Sequence, residues 1–548
     1  MLGLMMDMPL TLTMIMRHGE RNHGMQEIVS VTADNPRHRY RFADAFRRAR
    51  KLANALDRLG AKPSARIGTL AWNDYRHLEL YYAISCSGRV CHTINPRLFD
   101  EQIEYIVNHA EDEWIFTDVA FVPKLEQLAA RCPGVRGYIV MTDAAHMPQT
   151  TLPNALCYET LIEGEADRYD WPELDEKTAS GLCYTSGTTG NPKGVLYNHR
   201  AAVLMAYAAS LPDTCGLSAT DGILPIVPMF HVNAWGLPFA AVLVGAKLVF
   251  PGPTLSNPQI LADLITMEGV TISAGVPTVC LPLLAYARES ARSLAPLSRF
   301  VIGGSACPLS MMEEFRDRHG VRVLHAWGMT EMSPLGTVNA DTRASSAWAG
   351  DERIAQMLSQ GRAIPGVELK ITDEDNRELP WDGVAVGALK VRGLWICRDY
   401  YRLEGQGGAH EPDGWFVTGD VCSIDPHGFM RITDRAKDVI KSGGEWISSI
   451  DLENTAVGHP AVAEAAVIGV AHPKWQERPL LVVVLKPGMQ ATREELLEWL
   501  DGRVAKWWIP DDVMFVADLP HTATGKLSKL ELRKRLGDYR LPGASGAD

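Results

Sequence analysis

Eleven consecutive residues, Tyr184-Thr185-Ser186-Gly187-Thr188-Thr189-Gly190-Asn191-Pro192-Lys193-Gly194, combine four short hydroxyl side chains, three glycines and one lysine. That composition suits the grip of a polyphosphate. Glycine reaches positive φ and lets backbone N–H groups approach an anion, Ser and Thr add adaptable donors, and Lys193 adds a mobile cation. The spacing Gly187-x-x-Gly190-x-x-Lys193-Gly194 departs from the Gly-x-x-x-x-Gly-Lys-Ser/Thr of nucleotide-hydrolysing P-loops, because Gly194 stands where a magnesium-binding hydroxyl is required. A different phosphate-binding architecture is therefore expected.

Five further segments carry chemistry. Gly303-Gly304-Ser305-Ala306 directly follows the apolar run Arg299 to Ile302, so it would allow close backbone approach at a strand end, where open α/β sheets bind ligands. Trp327-Gly328-Met329-Thr330-Glu331 sets a hydroxyl for phosphate beside a carboxylate suited to Mg²⁺. Trp415 to Asp420 ends an apolar run in a carboxylate able to accept both hydroxyls of a ribose. Asp434-Arg435-Ala436-Lys437-Asp438 leads into Lys441-Ser442-Gly443-Gly444-Glu445, placing charge before a Gly-Gly kink, and Gly525-Lys526 presents one lysine after a glycine.

The elements that must position these groups read as alternating strands and helices. Phe42, Phe46, Ala49, Leu52, Ala53, Leu56 and Leu59 recur every three or four residues, which predicts a helix over Arg41 to Leu59, stopped by Gly60. Short apolar runs at Ile67 to Leu70, Trp114 to Thr117, Tyr138 to Met141, Ile223 to Val227, Leu248 to Phe250, Thr271 to Ala274 and Val321 to Leu324 predict strands of largely parallel sheets covered by helices. After about residue 360, turns at Asp382-Gly383, Asp413-Gly414 and Pro426-His427-Gly428 separate short segments expected to pair antiparallel. Beyond Asp434, apolar Ala465 to Val470 and Leu480 to Leu485, with a helix opened by the capping box Thr492-x-x-Glu495, form a unit small enough to be separate. The charged stretch Asp434 to Asp438 is the expected boundary between domains 1–434 and 435–548.

Composition narrows the function classes. At 548 residues, 46% hydrophobic and 22% charged, with net charge −12, the chain is globular and acidic, which argues against a nucleic-acid-binding body. The Met-rich start is broken by Asp7 and Pro9 and lacks a basic n-region, and nowhere do 18 apolar residues run uninterrupted. No signal peptide and no membrane span are expected, and the protein is expected in the cytoplasm. Ten scattered cysteines without a Cys-x-x-Cys pair fit reduced, packed thiols, and this includes Cys183 and Cys307 beside the suspected site. Core packing is also the expectation for Trp507-Trp508.

Taken in order, the segments from Tyr184 to Lys526 resemble the adenylate-forming superfamily of acyl-CoA synthetases, firefly luciferase and peptide-synthetase adenylation domains. The resemblance implies the ANL fold: an α/β protein with a large N-terminal domain of largely parallel sheets and a β-rich subdomain, and a small mobile α+β C-terminal domain. It implies ATP, Mg²⁺ and coenzyme A as cofactors or co-substrates. By that resemblance Thr185, Ser186, Gly187, Thr188, Thr189, Gly190 and Lys193 hold the β- and γ-phosphates. Gly303, Gly304, Ser305, Ala306, Trp327, Gly328 and Met329 surround the nucleotide, Thr330 and Glu331 serve phosphate and magnesium, and Asp420 and Arg435 hold the ribose. Lys526 stabilises the adenylating transition state, Lys437 is the hinge, and Lys441, Ser442, Gly443, Gly444 and Glu445 line the coenzyme A path.

The segment Pro228 to Trp235 bears on the acid. The resemblance puts His231 beside the substrate carboxylate, with Trp235 matching a tunnel-gating aromatic of bacterial fatty acyl-CoA synthetases and Gly303 at the same pocket. Phe230-His231-Val232-Asn233 lacks the aspartate that amino-acid-activating relatives use for the substrate ammonium. The texture is that of medium-chain fatty acid and methylmercaptopropionate ligases, so a medium-chain or short substituted aliphatic acid is expected. An aromatic-acid ligase and a catalytically silent nucleotide-binding relative are the alternatives. Trp327 stands where many relatives carry tyrosine, which removes a phenolic hydrogen bond from the adenine side. Fatty acyl relatives often form dimers, so a homodimer is an expectation as well.

Overall fold

A computed structural model describes residues 1, 3–185, 191–405, 409–443, 445–521 and 527–542. Ser186, Gly187, Thr188, Thr189, Gly190, Gly444 and Lys526 lie outside the described residues.

The predicted amphipathic helix is Phe42–Arg58, and Phe42, Phe46, Ala49, Leu52, Ala53 and Leu56 are all buried along one face. Such helices cover two large sheets. The first has seven strands in the order Leu156–Cys157, Gly137–Val140, Asp112–Thr117, Arg66–Leu70, Val90–Thr93, Ala179–Tyr184 and Gly194–Asn198. Its first six run parallel, and the last turns back antiparallel with Leu182 opposite Leu196 and Tyr184 opposite Gly194. The phosphate-loop candidate is thus the connection of a hairpin at a sheet edge, closed at its base by Thr185 N donating to Lys193 O at 2.9 Å.

The second sheet has nine strands, in the order Arg362–Ala363, Leu335–Val338, Arg322–Gly328, Arg299–Ile302, Ile272–Gly275, Gly222–Pro225, Lys247–Phe250, Glu27–Ser30 and His38–Arg41. The six from Arg322–Gly328 to Glu27–Ser30 are parallel, and antiparallel strands close both ends. Parallel strands are covered on both faces, which is why they read as apolar runs and not as alternating ones. After residue 360, four strands, Val367–Thr372, Gly387–Gly393, Phe416–Ile424 and Met430–Arg435, form the expected antiparallel sheet.

The C-terminal part is α+β. Ile440–Ser442, Glu445–Ile447, Val462–His472, Gln476–Leu485 and Asp512–Phe515 make a five-stranded sheet. Period-two alternation splits its apolar residues between two cores: Val467, Leu481 and Val483 face one cluster, while Ala466, Ile468, Leu480 and Val482 face the other with Leu532 of helix Lys529–Arg535. The capping box forms as expected, Glu495 N donating to Thr492 Oγ1 and Thr492 N to Glu495 Oε2.

Bonds cross the junction between the two parts. Ser449 N and Oγ donate to Asp434 Oδ2, the former at 2.8 Å, and Ser448 Oγ donates to Thr433 O at 2.5 Å. Behind them Lys529 Nζ lies 2.9 Å from Glu453, whose carboxyl burial pushes up to about 7. Trp508 packs against a C-terminal core cluster as expected. Trp507 departs from that expectation: it is partly exposed, edge-on to Trp475 at 5.0 Å, with the Arg478 guanidinium 4.5 Å over its ring. All ten cysteines are unpaired, and burial raises the thiol of Cys183 to about 11 and that of Cys307 further still. No helix among the described residues is long and apolar enough to cross a membrane.

Candidate active site

A cavity of about 450 Å³ opens where the strand ends of both large sheets meet the antiparallel sheet and the C-terminal part. Its wall includes Thr185, Lys193, His231, Trp235, Gly303, Gly304, Trp327, Gly328, Met329, Thr330, Glu331, Arg435 and Lys437. Residues separated by 250 positions in sequence therefore share one space. Leu527, which directly follows Lys526, also lines it, together with Ser528, Lys529 and Leu530. Ser305 and Ala306 continue the Gly303-Gly304 turn and do not line the cavity. Nor do Lys441, Ser442 and Gly443, which start a hairpin on the C-terminal sheet, Ser442 opposite Glu445. A β-carbon at Gly443 would stand 3.0 Å from the ring of Trp475.

Two glycines in the wall are dictated by close approach. A β-carbon on Gly328 would fall 1.9 Å from Pro334 O, and one on Gly303 would fall 2.8 Å from Ala326 O and 3.3 Å from the Trp235 ring. Around them sits a left-handed turn: Val232, Asn233, Ala234 and Trp235 have φ of 47°, 52°, 49° and 58°. Left-handed backbone costs non-glycine residues about 1–2 kcal/mol each, so the buried side chains of Val232 and Ala234 must repay the strain. The turn delivers His231 and Trp235 to the same wall.

At the antiparallel sheet, Asp420 and Arg435 face each other across the pair Phe416–Ile424 and Met430–Arg435. Arg435 Nε lies 2.8 Å from Asp420 Oδ1, and Trp327 Nε1 donates to Oδ2 at 2.9 Å. Asp420 is 3% exposed, so its carboxylate is held by two charge-assisted contacts in a nearly dry site. Trp327 thereby has a polar role that its comparison with tyrosine did not indicate.

Thr330 and Glu331 form the one-turn helix Thr330–Met332 at the end of strand Arg322–Gly328. Glu331 is 6% exposed, its Oε1 accepting the Tyr400 phenol at 2.7 Å, while the Tyr197 phenol donates to Thr330 O at 2.7 Å. A hard carboxylate in a cavity wall that also holds Lys193 fits Mg²⁺. Tyr197 and Tyr400 were not identified from the sequence, and neither sits in a motif that could have marked it. Arg97, whose guanidinium stands 5.9 Å from the Phe230 ring at the cavity, was missed for the same reason.

Comparison with known proteins shows the family. Residues 17–401 match the model of the family "AMP-binding enzyme", and residues 451–526 match "AMP-binding enzyme C-terminal domain". The chain is 49% identical over 545 residues to a medium-chain-fatty-acid–CoA ligase of Ectopseudomonas oleovorans, covering 100% of this chain and 99% of that one. It is 50% identical over 538 residues to a 3-methylmercaptopropionyl-CoA ligase of Ruegeria lacuscaerulensis, covering 98% and 99%. Among solved structures, an anthranilate CoA ligase in complex with anthranoyl-AMP superposes with a TM-score of 0.86 at 24% identity, covering 97% of this chain and 98% of that one, and so shares the fold. With residues 17–401 matched by the family model and nearly its whole length by relatives about half identical to it, this chain belongs to the AMP-binding enzyme family.

Proposed function

We infer that the protein is an ATP-dependent acid–CoA ligase, and that its physiological acid is a medium-chain or short substituted aliphatic acid such as methylthiopropionate. The observation that carries the reading is the single cavity shared by Lys193, Glu331, Trp327, Arg435, His231 and Trp235. Apolar Ile226, Phe230, Val279 and Leu255 in the same wall suit an aliphatic chain.

In the first half-reaction an oxygen of the substrate carboxylate attacks the α-phosphorus of ATP. The bond from that phosphorus to the bridging oxygen breaks, pyrophosphate leaves, and an acyl-adenylate remains. Lys193 and the hydroxyls of Thr185, Ser186, Thr188 and Thr189 hold the leaving pyrophosphate, while Asp420 and Arg435 anchor the ribose. Mg²⁺ bound at Glu331 would neutralise phosphate charge. Lys526 neutralises charge growing at the α-phosphate, a role supported by its neighbour Leu527 in the cavity wall. In the second half-reaction the CoA sulfur attacks the acyl carbon, AMP leaves, and the thiol proton goes to solvent.

We place the domain boundary at 434/435, with Lys437 as the hinge. Rotation there would break the Asp434–Ser449 and Thr433–Ser448 bonds, withdraw Lys526, and bring Lys441 to Glu445 toward the cavity. ATP and CoA as substrates support a cytoplasmic setting, and the dimers common among fatty acyl relatives support a homodimer, measurable by light scattering.

The test is a screen of acids from acetate to dodecanoate, including methylthiopropionate and benzoate, for acid-dependent exchange of pyrophosphate into ATP and for CoA-dependent AMP release. Exchange with no acid at all would sink the ligase reading; a preference for benzoate would move it to aromatic acids. Lys526→Ala is expected to abolish adenylation while largely sparing thioester formation from supplied acyl-adenylate.

A further inference from the structure

The segment Cys397 to Tyr401 follows strand Gly387–Gly393 of the antiparallel sheet and brings Tyr400 into the cavity wall. It binds both phosphate-side elements through its backbone. Cys397 N donates to Glu331 O at 2.8 Å, and Tyr401 N donates to Gly194 O at 2.8 Å. Between those two anchors, one side chain reaches both functional groups: the Tyr400 phenol donates to Glu331 Oε1 at 2.7 Å, and the Lys193 ammonium stands 4.8 Å from the centroid of the Tyr400 ring. Tyr400 is 5% exposed. Asp399 fixes the strap locally, its carboxylate accepting from Tyr400 N at 2.9 Å and from Gly405 N at 2.6 Å.

We propose that Tyr400 is a positioning residue that aims the magnesium-binding carboxylate of Glu331 and the pyrophosphate-binding lysine Lys193 at the same phosphate groups. The proposal rests on the ligase reading above.

Tyr400 acts in two ways. The carboxylate of Glu331, in the middle of the 3₁₀ turn Thr330–Met332, can rotate about its terminal torsion, which is broad for Glu. A phenol bonded to Oε1 ends that freedom and leaves Oε2 as the oxygen presented to a cation. The lysine part works through the ring face, where a cation near an aromatic centroid is attracted by the ring quadrupole. Lys193 is thereby held against the Tyr400 ring before ATP arrives, and less side-chain entropy is lost on binding.

Tyr400→Phe separates the two parts, since it keeps the ring and its volume and deletes only the donor. Binding of ATP by the full-length protein is measured by titration calorimetry, once with Mg²⁺ and once with EDTA. The loss of a hydrogen bond to a charged group is expected to weaken Mg²⁺-dependent binding about tenfold or more, with the EDTA value little changed. The Mg²⁺ half-saturation in pyrophosphate exchange should rise in parallel, with the KM of the acid unchanged. In a Glu331→Gln background the Tyr400→Phe change should add nothing.

Tyr197→Phe controls for general loosening, because it deletes a phenol bond of the same length to the backbone of Thr330. Equal Mg²⁺-specific losses in Tyr197→Phe and Tyr400→Phe would overturn the proposal, and so would an unchanged Mg²⁺ response in Tyr400→Phe. If the wild-type protein exchanges pyrophosphate with no acid, the ligase reading fails, while the calorimetric comparison still decides whether Tyr400 governs metal-dependent ATP binding.

Discussion

Replacing Trp327 by Phe tests whether the Asp420 carboxylate, proposed to hold the ribose, depends on an indole donor. The substitution removes the N–H that meets Asp420 Oδ2 at 2.9 Å and leaves Arg435 at 2.8 Å on Oδ1. A hydrogen bond to a charged group contributes about 1.5–3 kcal/mol. Because Arg435 still neutralises the carboxylate, the loss should fall at the lower end, about 1.5 kcal/mol, or roughly tenfold in AMP affinity. The smaller ring also weakens packing against Gly336, where a β-carbon would lie 2.8 Å from the indole, so the melting temperature must be followed separately. Calorimetric AMP binding is the assay, in wild type, Trp327→Phe, Asp420→Ala and the double variant. If the indole acts through Asp420, the tenfold loss vanishes in the Asp420→Ala background. An equal loss in both backgrounds would refute the reasoning and leave Trp327 as a stacking surface alone.

Two other predictions concern the acid pocket and the core. Trp235→Ala removes an indole from the wall facing Gly303 and should shift the preference toward longer acids. At about 0.8 kcal/mol per buried methylene, octanoate should gain on butanoate by on the order of a hundredfold in kcat/KM, and an unchanged chain-length profile would contradict the assignment. His77, His199 and His325 are buried, and burial lowers each from 6.5 to about 4. The unfolded chain protonates them below about 6.5 while the fold keeps them neutral, so their stability is present above pH 6.5 and lost as pH falls through 4. Each shift is worth on the order of 3 kcal/mol, and denaturant unfolding against pH should flatten when one of them is replaced by Gln. A slope unchanged by His77→Gln would contradict this.

How much was legible follows from the range of each interaction. Periodicity located the helix Phe42–Arg58, and apolar runs located the parallel strands, because burial of a face leaves its spacing in the chain. Motif chemistry singled out Lys193, Thr330, Glu331 and Arg435, which the fold brings to one cavity, and Asp420, which Arg435 and Trp327 contact. Tyr400 and Tyr197 left no such trace: a tyrosine in Cys397-Arg398-Asp399-Tyr400-Tyr401 reads like any aromatic near a turn. Trp327 was read only for the phenolic hydrogen bond it lacks, because its partner Asp420 lies 93 residues away and nothing local announces that contact. Trp507 was expected in the core because tryptophan is mostly apolar, yet it walls the Ser442–Gly443 turn beside Trp475.

Residue types and spacing alone pointed to a polyphosphate grip at Tyr184 to Gly194, and the order of the motifs through to Lys526 carried the resemblance that named an acid as second substrate. Which of those groups share a cavity, and how each is aimed, came from the folded chain. Register across an antiparallel pair set Asp420 against Arg435, and a strap between two sheets set Tyr400 between Lys193 and Glu331. Such pairings depend on contacts between residues far apart in the chain, and side-chain type constrains them only after the backbone has brought them within reach.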